Sequence, residues 1–237
     1  MVNNNNKEIN VVDLTTRDDG AIEWHVSTGG DLGALTSEIG AALDAAEAAQ
    51  ANTALVVRLP RVGEDRSWPR WSVHTDDVSR WERAILRMER SHVTTIAVLD
   101  GEVGGASLDL VLACTMRVAT IGSVLHLPIN DGQLWPGMGN YRFSREAGMG
   151  AARRVLLWSS ELDMETCTAL NVVDQTTSSL EATVHSVLQL VVEGSSMEVA
   201  LRWNLLREDA ATSADESLGM HLAACNRELR RLGAVGA

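Results

Sequence analysis

Lysine is almost missing from the sequence: Lys7 is the only one among 20 basic residues. The chain also has 32 acidic residues, which gives a formal net charge of −12. An acidic surface repels both nucleic acid and anionic lipid, so we expect neither as a partner. Any phosphate group must then be held by arginine, by histidine, or by backbone N–H groups at helix N-termini.

Cysteine and long apolar segments are also scarce. Cys114, Cys167 and Cys225 are widely spaced and contain no CxxC pair, which is typical of a reduced, cytoplasmic protein. The start of the chain, MVNNNNKEIN, has no apolar core of a signal peptide, and no apolar run approaches the ~20 residues that span a bilayer. We expect a cytoplasmic protein with no membrane segment and no bound metal ion.

The length of 237 residues fits one domain with a core and a cleft. Residues 1–20 are polar and predict a loose tail or a fraying strand. Residues 21–190 predict a core in which strands first alternate with helices, the pattern of an α/β fold with a parallel sheet. Residues 191–237 predict a helical C-terminal region. The clearest elements are strands at Ala21–Ser27, Ala54–Leu59, Thr94–Leu99 and Met116–Thr120, and helices at Leu35–Gln50, Ala106–Ala113 and Asn140–Trp158.

A glycine-rich turn joins the strand Thr94–Leu99 to the helix that starts near Ala106. Gly101, Gly104 and Gly105 in this turn would expose backbone N–H groups at the positive end of a helix dipole. Such a turn holds a phosphate or stabilises an oxyanion. The GxxGG spacing excludes the dinucleotide and P-loop motifs. By spacing alone, the glycines are better explained by close packing of the strand on the helix.

Two blocks of sequence change this interpretation. TTIAVLDGEVGGASLDLVLACTMRVAT is similar, without gaps from Thr95 to Ala119, to the glycine-turn signature of the enoyl-CoA hydratase/isomerase (crotonase) superfamily. LHLPINDGQLWPGMGNYRFSREAG (Leu125–Gly148) resembles the family's later FxxPExxxGxxPGxGGxxRLxRxxG pattern. The resemblance implies the ClpP/crotonase fold, a spiral of ββα units with a mainly helical C-terminal region. It also implies an acyl-CoA thioester substrate, with coenzyme A present only as part of that substrate.

The resemblance assigns an oxyanion hole to two backbone N–H groups. The first is the N–H of Ala106, which follows the glycine turn. The second belongs in the loop Arg61–His74, where the family's usual motif is absent and the best placement is near Trp71, Ser72 and Val73. Two donors aimed at a thioester oxygen stabilise an enolate, and each is worth ~3 kcal/mol in the transition state.

The acid/base residues depart from the standard hydratase. The family's first glutamate corresponds to Asp109, which keeps a carboxylate. The second corresponds to Ile129, so that carboxylate is lost, and Asn130 and Asp131 replace it only if the loop bulges. Water addition by two carboxylates is therefore not expected, whereas a one-base proton transfer or elimination remains open. The residues that the resemblance places around the acyl group are Trp71, Gly104, Gly105, Ile129, Asn130, Trp135, Gly137 and Met138.

Several polar residues have a simpler alternative explanation. His126 is better explained as a hydrogen-bonded core or rim residue, and Glu102 as a solvated turn carboxylate. Asp109 is either a catalytic base or an acid on a helix surface. Tyr141 either donates to a substrate or fills space. The arginines that follow it either bind coenzyme A phosphates or pair with local acids; they are Arg142, Arg145, Arg153 and Arg154.

Within the superfamily, the chain looks most like the small proteins of 3,5-dihydroxyphenylglycine biosynthesis, the DpgB type. This narrower resemblance rests on WERAILRMER, DGEVGGASLD and WPGM. It implies a dehydratase or isomerase that assists a type III polyketide synthase in forming 3,5-dihydroxyphenylacetyl-CoA. The alternatives are a general enoyl-CoA hydratase/isomerase and a non-catalytic partner of the synthase. The family also implies a homotrimer or hexamer, although the C-terminal region is shorter than usual.

Overall fold

The computed structural model describes residues 12–28, 31–49, 53–62, 73–209, 222–223 and 225–226. Strands and helices alternate through the first half of the chain and helices dominate the second, as the sequence predicts. In chain order the elements are β1 (Asp13–Thr16), β2 (Ile22–His25), α1 (Leu32–Ala48), β3 (Ala54–Arg58), α2 (Thr75–Glu89), β4 (Thr94–Leu99), β5 (Glu102–Val103), α3 (Ser107–Ala113), β6 (Met116–Thr120), β7 (Val124–His126), β8 (Ile129–Asn130), β9 (Gln133–Leu134), α4 (Gly139–Trp158), β10 (Glu161–Asp163), α5 (Met164–Ala169), β11 (Gln175–Thr177), α6 (Leu180–Gly194) and α7 (Ser196–Asp209).

The main sheet has the strand order β1-β2-β3-β4-β6-β11. Its strands are parallel except for β1, which runs antiparallel to β2. A second sheet, β10-β7-β5, stands beside the turn that follows β4, and β8 and β9 form a hairpin. Both the turn and the hairpin therefore lie on the side of the main sheet where β4 ends.

Both faces of the main sheet are covered at its centre, which explains why the central strands β3 and β4 are buried along almost their whole length. On one face, Leu55 and Val57 pack with the helices α1 and α2. On the other face, Val56, Ile96 and Val118 pack against α6. The opposite-facing side chains of β3 thus contribute to two separate apolar clusters.

Of the predicted N-terminal region, residues 12–20 belong to the described part of the chain and residues 1–11 lie outside it. Residues 13–16 form β1, because they pair in register with residues 22–25 of β2. The helix α1 begins at Leu32, three residues before its predicted start. Asp31 caps it by accepting a hydrogen bond from the N–H of Ala34 at 2.7 Å. Thr36 and Ser37, two capping-type residues beside the predicted start, instead donate their hydroxyls to the backbone carbonyls of Leu32 and Gly33.

The C-terminal helices are joined closely to the sheet. The predicted boundary at residue 190 falls inside α6, whose Val191 is buried against the main sheet. Ser196, at the start of α7, accepts a hydrogen bond from the N–H of Thr94 at 2.9 Å, and Thr94 Oγ1 donates to its carbonyl at 3.0 Å. In the described part of the chain, no helix is long and apolar enough to cross a bilayer.

Candidate active site

The glycine turn after β4 needs glycine for two reasons. Gly101 and Gly105 have positive φ angles of 86° and 61°, which side chains rarely adopt. Gly104 instead lies against the backbone of β7: a Cβ there would stand 2.9 Å from His126 Cβ and 3.2 Å from the His126 carbonyl oxygen. The turn therefore keeps its shape through backbone contacts that a larger residue would disturb.

Ala106 lies at the end of this turn, immediately before α3. Its φ of −59° and ψ of −23° are helical. The next two N–H groups are used locally, because Ser107 donates to the Gly104 carbonyl at 3.1 Å and Leu108 to that of Gly105 at 3.3 Å. The N–H of Ala106 has no hydrogen-bond acceptor within the residues that the structure describes. The donor that the family resemblance selects is thus left without an internal partner.

The chain that leaves β3 passes beside the same turn. Leu59 donates to the Val98 carbonyl at 3.1 Å and Val62 to that of Glu102 at 2.8 Å. These two bonds hold residues 59–62 beside β4 and the glycine turn, at the start of the loop in which a second donor is predicted. Trp71 and Ser72 lie outside the described residues. Val73 is half-buried and packs against the core just before α2.

Asp109 lies in the interior rather than on a helix surface, so the surface alternative is wrong. Its side chain is almost completely buried, and both oxygens accept hydrogen bonds. Oδ1 accepts from Arg142 Nη1 at 3.0 Å, and Oδ2 accepts from Trp81 Nε1 at 3.2 Å. Burial raises the pKa of Asp109 to about 6, and the positive charge of Arg142 limits the rise.

Gly139, the first residue of α4, makes room for this carboxylate. A Cβ at Gly139 would lie 2.9 Å from Asp109 Oδ1. The glycine that the downstream motif supplies therefore allows α4 to approach the acid of α3.

Arg142 connects Asp109 with two carboxylates of α2. Its Nη1 lies 2.9 Å from Glu82 Oε2, and its Nε lies 2.7 Å from Glu89 Oε1. Glu89 also pairs with Arg207 of α7 at 2.9 Å. Of the two predicted alternatives for Arg142, the structure shows the pairing with local acids.

Glu82 is the site residue that the sequence reasoning missed. Its Oε1 accepts a hydrogen bond from the N–H of Met138 at 3.1 Å, at the start of α4. The signal was present in WERAILRME, because Glu82 and Glu89 are seven residues apart and share one helix face with Ile85. A polar pair on a face that also carries apolar core residues indicates buried partners.

Five of the residues predicted around the acyl group, Ile129, Asn130, Trp135, Gly137 and Met138, occupy the hairpin and the segment that follows it. Ile129 and Asn130 form β8 and are half-buried. The backbone N–H of Trp135 donates to the Pro128 carbonyl at 2.8 Å. The Trp135 indole lies against Gly137, because a Cβ added to Gly137 would be 2.5 Å from Trp135 Nε1. Met138 is 43% exposed, so among the described members of this group it is the side chain that faces solvent.

The remaining candidates have simpler roles. His126 is buried and lies 3.2 Å from Glu102 and 3.4 Å from Glu161, which confirms the hydrogen-bonded rim assignment. Tyr141 is half exposed beneath Arg145. Arg153 and Arg154 are exposed on α4. No group of three metal-ligating side chains occurs in the described ranges.

The fold and this turn define a crotonase-like protein. An enoyl-CoA hydratase from Mycobacterium smegmatis superposes with a TM-score of 0.76 at 16% identity, covering 92% of this chain and 90% of that one. A Thermobifida fusca protein solved in complex with CoA superposes with a TM-score of 0.72 at 14% identity, covering 94% and 95%.

Sequence comparison identifies the family to which the chain belongs. The chain is 39% identical over 154 residues to an enoyl-CoA hydratase of Amycolatopsis orientalis, covering 65% of this chain and 71% of that protein. No protein-family profile matches it. The chain belongs to the enoyl-CoA hydratase/isomerase (crotonase) family.

Proposed function

We propose that the protein is a lyase or isomerase that binds an acyl-CoA thioester and stabilises its enolate. The observation that carries this proposal is the N–H of Ala106, which has no acceptor in the described part of the chain and stands at the family's oxyanion turn. A donor without an internal partner is available to a thioester oxygen, and it requires no rearrangement when negative charge develops there.

Asp109 is the proposed proton carrier. A pKa of about 6 lies close enough to neutral pH for the carboxyl group to take up and release a proton. Both of its oxygens accept hydrogen bonds within the protein, from Arg142 and Trp81. Proton transfer therefore requires one of these hydrogen bonds to be exchanged for the substrate, and the Arg142 guanidinium can retain its bonds to Glu82 and Glu89 during that exchange.

The proposed reaction is a dehydration. Asp109 removes a proton from the carbon next to the thioester carbonyl, and Ala106 stabilises the enolate. The electron pair then forms the new C=C bond as the hydroxyl of the neighbouring carbon leaves with the proton that Asp109 removed, so water is released and Asp109 is a carboxylate again. Ile129 occupies the position of the family's second glutamate, so this site supplies one carboxylate fewer than a standard hydratase. A substrate that becomes aromatic on losing water needs less assistance, because the product itself drives the elimination.

These features favour a cyclised poly-β-keto thioester as substrate, with a type III polyketide synthase as partner and 3,5-dihydroxyphenylacetyl-CoA as product. This is the DpgB-type role. Coenzyme A enters as part of the substrate, and a complex with CoA exists for the Thermobifida fusca neighbour. A homotrimer or hexamer built through the C-terminal helices, in the cytoplasm, completes the proposal.

The test combines the protein with a type III synthase and malonyl-CoA and measures the aromatic product. We expect the wild-type protein to increase product formation, and Asp109→Asn to remove most of the increase. Asp44→Asn is the matched control, because Asp44 is an exposed carboxylate of α1 that pairs with Arg87. If Asp109→Asn is as active as the wild type, Asp109 is not the proton carrier.

Two further measurements separate the alternatives. Rapid hydration of crotonyl-CoA without the synthase would favour a general enoyl-CoA hydratase. Retained enhancement in both Asp109→Asn and Ala106→Pro, together with co-purification with the synthase, would favour a non-catalytic partner.

A further inference from the structure

Three arginines lie close together where α4 meets α7: Arg142 and Arg145 of α4 and Arg207 of α7. They surround a cavity of about 160 Å³. Among the described residues, its lining contains no residue of the glycine turn and shares only Arg142 with the hydrogen-bond partners of Asp109. Its lining residues are Leu112, Arg142, Arg145, Glu146, Trp203, Leu206 and Arg207.

Three of these side chains carry a buried N–H donor that is unused. Within the described residues, Arg142 Nη2, Arg207 Nη1 and Trp203 Nε1 have no hydrogen-bond partner. Folded proteins seldom leave a buried donor unpaired, and here three occur on one cavity. Three unpaired donors around one cavity therefore indicate that the cavity binds a molecule with hydrogen-bond acceptors.

The ion pairs around the cavity explain why these donors remain. Arg142 uses Nε and Nη1 for Glu89, Glu82 and Asp109, and Arg207 uses Nη2 for Glu89. These carboxylates therefore leave Arg142 Nη2 and Arg207 Nη1 without a partner among the described residues.

The other charged residues of the lining are engaged elsewhere. Glu146 lies 3.1 Å from Arg117 Nη1. Arg145 donates to the Tyr141 hydroxyl and to the Arg207 carbonyl. Neither supplies an acceptor to the three unused donors.

We propose that this cavity binds a small oxyanion, a carboxylate or an inorganic phosphate. Guanidinium and indole N–H groups only donate, so an occupant rich in acceptor oxygens suits them. A cavity of nearly this volume holds benzene in another protein, which sets an upper size of about six non-hydrogen atoms. Leu112 and Leu206 line the apolar part and suit a short carbon chain. The site does not rest on the function proposed above.

The experiment follows the indole N–H signals of the ¹⁵N-labelled full chain by two-dimensional NMR. Acetate and inorganic phosphate are titrated in separate arms, each against sodium chloride at equal ionic strength. Trp203→Phe identifies the Trp203 signal by its disappearance. Trp158→Phe is the matched control, because Trp158 is 84% exposed at the other end of α4.

We expect the Trp203 signal to move downfield and to saturate with a Kd of about a millimolar, while the Trp158 signal stays in place. Saturation by acetate, by phosphate or by both supports the proposal and identifies the preferred oxyanion. In Arg207→Gln, checked for folding by circular dichroism, the Kd is expected to rise at least about tenfold. If neither anion produces a saturable movement in the wild-type chain, the cavity holds only water and the proposal is wrong.

Discussion

Asp109 and Arg142 face each other across 3.0 Å in the protein interior, with only 4% and 3% of their surfaces exposed. Burial raises the pKa of the carboxyl group to about 6, although the guanidinium opposes the rise. The pair thus keeps an acid that titrates near neutral pH inside the core of a crotonase-like fold.

The raised pKa makes stability depend on pH in a defined direction. The folded state holds the Asp109 proton more tightly than the unfolded state, whose pKa is near the ordinary 3.8. Protonated Asp109 therefore makes its full contribution to the free energy of unfolding below pH 4, and this contribution is lost as pH rises through 6. The loss amounts to about 3 kcal/mol of the free energy of unfolding. Urea denaturation of the wild type and Asp109→Asn at several pH values isolates this contribution, and parallel curves for the two proteins would contradict it.

The oxyanion role of Ala106 is testable by removing its N–H. The φ of −59° already suits proline, and the N–H bonds no acceptor in the described residues, so Ala106→Pro removes the donor without breaking a hydrogen bond. We expect the rate of product formation to fall by about 100- to 1,000-fold. Ala106→Gly keeps the N–H and should stay within a few-fold of the wild type. Equal rates for the proline and glycine variants would exclude this donor.

The strands and the glycine turn could be predicted from the sequence, because their signals are local. TTIAVL is a buried run, and the glycine turn begins with Gly101, two residues after its last residue, Leu99. The ion pairs of Arg142 could not be predicted in this way, because Glu82 and Glu89 lie 60 and 53 residues away from Arg142 in the sequence. Their geometry exists only after α2 packs near α4, and no local pattern encodes which arginine pairs with which acid.

The start of α1 is a second feature that local sequence does not determine. Thr36 and Ser37 are good capping residues, but both are already inside the helix. Asp31 takes the position because Leu32 and Leu35 are buried in the core, which extends the helix toward its N-terminus. Burial of an apolar face thus decides between several acceptable caps.

Arg142 is expected to be important for stability independently of catalysis. Arg142→Met leaves Asp109, Glu82 and Glu89 without their common cation, which should lower the free energy of unfolding by about 3–5 kcal/mol at pH 7. Arg87→Met is the control, because Arg87 forms exposed ion pairs with acids of α1 and should cost about 1 kcal/mol or less. Urea denaturation measures both. Equal losses in the two variants would show that the buried network contributes no more than a surface pair.

Gly104 provides the last test, because it separates the shape of the oxyanion turn from its hydrogen bonds. In Gly104→Ala the new Cβ would stand 2.9 Å from His126 Cβ and 3.2 Å from the His126 carbonyl oxygen, so the turn or β7 must shift. We expect a loss of about 1–3 kcal/mol in the free energy of unfolding. We also expect a fall in kcat, because the N–H of Ala106 moves with the turn. Gly122→Ala is the matched control, since no atom lies within 4 Å of its added Cβ. If Gly104→Ala is destabilised while its kcat matches that of Gly122→Ala, the position of the turn does not determine the rate.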